Sequence, residues 1–170
     1  MTSRRAEDVA RSLLRSLNVG QEPIDPAKIA EAIGASLVYT VMEPSISGML
    51  IREPGHTTIG VNKGHAPVRR RFTVAHELGH LRLHRGRPLI LDPAVRVNMR
   101  DPESAAATNR EEIEANAFAA ALLMPEDLII RAAASSKISA PEDLSRRLAA
   151  RFKVSEQAMS FRLVNLGLTV

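Results

Sequence analysis

The sequence contains no cysteine. That absence removes disulfides, thiolate metal ligands and a cysteine nucleophile, and leaves histidines and carboxylates for any metal site. No apolar run approaches the length a membrane span needs. The opening, MTSRRAEDVARSLLRSL, mixes arginines with Glu7 and Asp8 and reads as an amphipathic helix instead of a signal peptide. A cytoplasmic protein with no membrane contact is the expectation. Internal repeats and low-complexity tracts are missing too. Charge of one sign is scarce: 23 basic against 19 acidic residues leave a net +4, which helps a contact with nucleic acid or an acidic protein without requiring either. At 170 residues the chain can bury one good core and is short for two.

What is present is a helix-rich pattern around a few strands. Val9, Leu13, Leu14 and Leu17 line one side of the opening helix, which ends near Asn18 to Gly20. Asp25 caps a second helix, with Pro26 as its first residue and Gly34 closing it. Three β-rich runs follow, at 37–41, 46–51 and 57–61, the last two joined by a turn at Glu53-Pro54-Gly55. They predict a small, mainly antiparallel three-stranded sheet in an α+β fold. From 69 to 84 a central helix with apolar residues on several sides is expected, then a loop region over 86–109 with one short strand at 95–97. A helix resumes at Arg110 and ends or kinks at Met124-Pro125. Helices at 125–134, 141–152 and 155–166 complete the chain.

The central helix carries His76-Glu77-Leu78-Gly79-His80. Histidines four apart share one helical face, about 6 Å apart along the axis, so both rings reach one ion. Glu77 sits beside the first of them, placed to reach a water on the metal and act as general base. Two surface histidines on a helix are the plainer explanation, but Phe72, Val74, Leu78, Leu81 and Leu83 surround the pair with residues that favour burial. His84 lies about 12 Å further up the axis than His76 and cannot join the same ion on a straight helix. It reads equally as a helix-end residue favoured by the dipole or as a functional group. The longer metzincin pattern does not fit, since Leu83 stands where its glycine would be.

A third ligand must then come from another segment. Glu112 is the expected donor, as in the gluzincin arrangement, with Asn116 one turn on and on the same face to hydrogen-bond the far nitrogen of a ligand histidine. Ala115 and Ala119 share that face and let the helix approach the motif helix, itself thinned at Ala75 and Gly79. Glu111 and Glu114 read as solvated acids at a helix N-terminus, Glu114 pointing elsewhere.

These residues resemble a known family. RFTVAHELGH at 71–80, LRLH at 81–84 and EEIEANAFAAALLMP at 111–125 are similar to the ImmA/IrrE metallopeptidases, and ISGMLI at 46–51 and IGVN at 59–62 resemble the strands preceding the active helix in that family. The resemblance implies Zn2+ held by His76, His80 and Glu112, Glu77 as the base, and as substrate a protein, a helix-turn-helix transcriptional repressor whose cleavage relieves repression. Residues 1–136 would be the zincin-like core and 137–170 a helical segment packed on it.

Around that site several readings stay open. Ser47, Gly48 and Met49 lie on an expected edge strand that either pairs with an extended substrate backbone or is an ordinary edge with a bulge at Gly48. His84, His56, His65 and Tyr39 are the candidates for stabilising an oxyanion. LAARFKVSEQAMSFRL at 148–163 has the cadence of a helix-turn-helix, with Lys153 in place of the usual turn glycine and Ser155 as N-cap. Arg146, Arg147, Arg151, Lys153 and Arg162 against Glu142, Asp143 and Glu156 leave a thin positive footprint, so helix packing or a protein surface is expected ahead of DNA binding. The Arg69 to Arg71 triplet reads as solvated. The alternative to a peptidase is a non-catalytic zinc-binding regulator, an anti-repressor or a DNA- or protein-binding module. Glu77 argues against it, because a structural metal needs no base beside it.

Overall fold

A computed structural model describes residues 2–84, 89–93, 102–135 and 141–168. The opening amphipathic helix is α1 (Thr2–Ser16), and the chain leaves it through Asn18 at φ +54°. In α2 (Pro26–Ala32) the Asp25 carboxylate accepts from the Ala27 amide at 3.0 Å, and Gly34 at φ +82° turns the chain out, as its sequence predicts. Strands β1 (Ala35–Thr40), β2 (Ile46–Glu53) and β3 (His56–Asn62) follow, then the central helix α3 (Pro67–Leu83). Next come β4 (Leu89–Pro93), α4 (Pro102–Leu123), α5 (Glu126–Ala134), α6 (Pro141–Phe152) and α7 (Glu156–Asn165).

The α+β class holds, but the sheet corrects the expectation of three antiparallel strands: among the described residues it has four, in the order β1-β3-β2-β4, and it is mixed. The Gly55 turn makes β2 and β3 an antiparallel hairpin, and β1 then lies parallel to β3 instead of beside β2. Short-range patterning fixes the hairpin through its turn. It says nothing about which side of the hairpin β1 chooses. The fourth strand arises where Leu89, Ile90 and Leu91 sit between prolines, in a stretch whose polar flanks read as loop. The following helix begins eight residues before Arg110, because Pro102 is tolerated in a first turn and alanines follow it. The expected strand at 95–97 and the 136–137 boundary lie outside the described residues.

The core lies where α3 and α4 cross, with the sheet on one side and α1 on the other. Leu13, Leu14, Leu50, Ile59, Val61, Leu78, Phe118 and Leu122 are among its buried members. Burying each such side chain is worth about 1.5–3 kcal/mol. Gly79 sets the spacing of the crossing: a Cβ there would stand 3.0 Å from the Ala115 Cα.

The arginine triplet, exposed at Arg69 and half-buried at Arg70 and Arg71, is engaged by neighbouring groups. Arg69 donates to the Ser47 hydroxyl at 3.0 Å, Arg70 lies over the Tyr39 ring, and Arg71 donates to the carbonyls of Ile24 at 2.6 Å and Lys153 at 3.1 Å. Arg71 thus ties the turn between α6 and α7 to the rest of the molecule. In that turn Lys153 takes φ +54°, the left-handed backbone usually given to glycine, and Ser155 caps α7 by accepting from the Ala158 amide. No described helix is long and apolar enough to cross a membrane.

Candidate metal centre

The middle of α3, from Thr73 to His80, is buried without a break, so the motif sits inside the molecule and not on a wet helix face. Its local helicity puts His76 and His80 on one side, with their Nε2 atoms 3.0 Å apart. From α4, Glu112 brings Oε2 to 3.2 Å from His76 Nε2 and Oε1 to 3.2 Å from His80 Nε2. Donor atoms each about 2.0–2.1 Å from one tetrahedral zinc would stand about 3.4 Å from one another. Three donors converge here at nearly that spacing, and among the described residues they form the one His/Asp/Glu group that could hold a metal.

Both rings aim their Nε2 lone pairs inward because their Nδ1 atoms are engaged. His76 Nδ1 donates to Asn116 Oδ1 at 3.0 Å, the contact expected from the four-residue offset between Glu112 and Asn116. His80 Nδ1 faces His84 Nδ1 at 3.0 Å. Burial holds the His80 ring below the ordinary histidine value against the opposing pull of the Glu112 carboxylate, and so keeps its Nε2 lone pair available. For Glu112 burial favours the neutral acid, but the two imidazoles facing it outweigh burial and hold the carboxyl far below the usual carboxylate range. A neutral imidazole pair and an ionised carboxylate are the states in which these groups bind a divalent cation.

Glu77 is fully buried beside this cluster, covered by β2. The cover depends on Gly48. A Cβ at that position would lie 2.5 Å from Thr73 Cγ2 and 3.0 Å from both Glu77 Oε1 and the Gly60 carbonyl. Gly48→Ala is therefore expected to push β2 off α3, to cost about 1–3 kcal/mol from overpacking, and to slow any reaction that depends on Glu77 by about 10–10²-fold through misplacement. Thermal unfolding and activity measured on the same sample check this, and wild-type activity in a destabilised variant would show that β2 does not set the Glu77 position.

The edge-strand reading of Ser47, Gly48 and Met49 is corrected. β2 is an interior strand: Gly48 pairs with Val61 on one side and Asp92 on the other, and Met49 with Gly60 and Leu91. The strand that fills the outer side, β4, is the one the sequence hid. The irregularity falls between Ile46 and Gly48, where the buried Ser47 turns its hydroxyl to Arg69. At Gly48 and Met49 both backbone edges are already paired within the sheet.

Of the oxyanion candidates, His84 is committed elsewhere, with one ring nitrogen on His80 and the other 3.1 Å from Glu114. His65 turns its Nε2 to the Pro44 carbonyl, His56 is exposed at the hairpin turn, and Tyr39 lies under Arg70. Glu114 is not the solvated acid its position suggests, being buried against His84. Two functions escaped the sequence altogether. Arg52, on β2, donates to the His80 and His84 carbonyls at 2.7 and 2.6 Å, holding the end of the motif helix where a cation suits the dipole. Asn62, buried at the end of β3, donates to the Ile46 carbonyl at 2.8 Å and fixes the approach to Ser47. No local spacing marks these roles, since the carbonyls that the two residues hold are 16 to 32 positions away.

Residues 30–164 match the model of the family Peptidase_M78, described as the IrrE N-terminal-like domain. No curated protein matches the chain.

Proposed function

The chain belongs to the IrrE N-terminal-like peptidase family, whose model covers residues 30–164, and from that premise we propose that it is a zinc-dependent endopeptidase acting on a protein, specifically a helix-turn-helix transcriptional repressor. The observation that carries the reading is the convergence of His76, His80 and Glu112 with Glu77 buried alongside. Zinc, when bound, supplies Lewis-acid polarisation of the scissile carbonyl and acidifies the attacking water. Glu77 takes a proton from that water and passes it to the leaving nitrogen. Asn116 holds His76 in the tautomer with its proton on Nδ1. Buried walls around Glu77 keep bulk water from competing for its proton.

A protein partner also suits the outer helices. Three of the six basic residues of the 137–170 segment are engaged by acids: Arg162, buried, with Glu7, Arg151 with Glu22, and Arg146 with Asp143. The outward side of α7 carries Phe161 and Val164, about 60% exposed, where a recognition helix for DNA would present groups for phosphates and base edges. The decisive experiment incubates the purified protein with the product of any adjacent repressor gene, with and without a zinc chelator. Cleavage is expected with zinc, loss of it with chelator, and recovery on adding zinc back. Binding of the repressor without cleavage in any metal state would instead favour a non-catalytic regulator.

A further inference from the structure

His80 differs from His76 in what stands behind it. Its Nε2 faces the other donors of the metal cluster, so the ring proton must sit on Nδ1, 3.0 Å from His84 Nδ1. His84 Nδ1 is then the acceptor. On the other side of that ring, Nε2 lies 3.1 Å from Glu114 Oε2, and a carboxylate only accepts, so Nε2 carries the proton. One neutral tautomer of His84 satisfies both ends. The second oxygen of Glu114 accepts from Arg110 Nε at 3.2 Å.

The backbone holds His84 just as firmly. Its residue is the first beyond α3, at φ −116° and ψ 94°; its amide donates to the His80 carbonyl at 3.0 Å and its own carbonyl accepts from Arg52. His84 and Glu114 are both buried, where a carboxylate without donors would be costly. We propose that His84 and Glu114 form a positioning relay that fixes the His80 ring on the metal and, through the Glu114 charge, raises its strength as a ligand. The relay rests on the metal-centre reading above. His76 Nδ1, by contrast, meets the neutral Asn116 amide.

The test measures zinc affinity by competition with a chromophoric chelator for the wild type, His84→Ala, Glu114→Ala and the double variant, with His80→Ala alongside. Each relay variant is expected to bind zinc about 10–100-fold more weakly, the usual cost of losing an outer partner of a metal ligand. The double variant should be no worse than the weaker single one, because removing either member breaks the same chain. Glu114→Gln keeps the shape and should fold as the wild type, with a smaller loss of affinity and a changed visible spectrum of the cobalt-substituted protein. It decides the matter if His84→Ala does not fold. Wild-type affinity and cobalt spectrum in Glu114→Gln, or losses that add in the double variant, overturn the relay. If His80→Ala loses zinc in that case, the metal centre stands and the relay alone falls; if His80→Ala also binds zinc like the wild type, both fall.

Discussion

Glu77→Gln is expected to fold, to keep zinc at wild-type affinity and to cleave about 10²–10⁴-fold more slowly, the range that a positioned general base contributes. The carboxylate is buried beside the metal ligands but is not one of the converging donors, so its loss leaves the binding set intact. Glutamine preserves the volume under Gly48, where a Cβ would already crowd the carboxylate oxygen at 3.0 Å, and so the β2 cover stays in place. What it cannot do is accept a proton at neutral pH. Bound zinc and repressor cleavage, measured on the same purified sample, separate these two properties. Full cleavage by a zinc-loaded Glu77→Gln protein would falsify the proposed mechanism and transfer the chemistry to a partner protease.

Glu112→Ala should do the opposite, removing metal and activity together. Glu112 brings one oxygen to each histidine at 3.2 Å, and it is ionised in spite of burial because the two imidazoles stabilise its charge. Its removal leaves the two rings and takes the one carboxylate out of the converging donor set. The loss of affinity should exceed the roughly 10–100-fold typical of an outer partner, and His76→Ala and His80→Ala should behave alike. Across the acidic cluster of α4 the order of damage should run Glu112, then Glu114, then Glu111. Chelator competition on the three alanine variants gives that order directly. If Glu114→Ala proves the most damaging, α4 delivers a different carboxylate to the metal from the one seen here.

The sequence by itself determined everything that lies within one helical repeat. His76 and His80 share a face because they are four apart, Glu77 falls beside them, and Glu112 and Asn116 share a face for the same reason; a period of 3.6 residues converts those spacings into positions without reference to the rest of the chain. The caps at Asp25 and Ser155 and the hairpin turn at Gly55 are local in the same sense. Only the tertiary structure decided which strands are neighbours. The order β1-β3-β2-β4, which buries Ser47 to Met49 inside the sheet, depends on β4, a strand drawn from a stretch with weak local signals. The parts given to Arg52, His84 and Glu114 were decided there too. Glu114 reads as a solvated acid, and His84 equally as a helix-end residue or a functional group, until the crossing of α3 and α4 brings together groups thirty residues apart. Hydrogen bonds of that range follow from how the whole chain packs, and no local period encodes them.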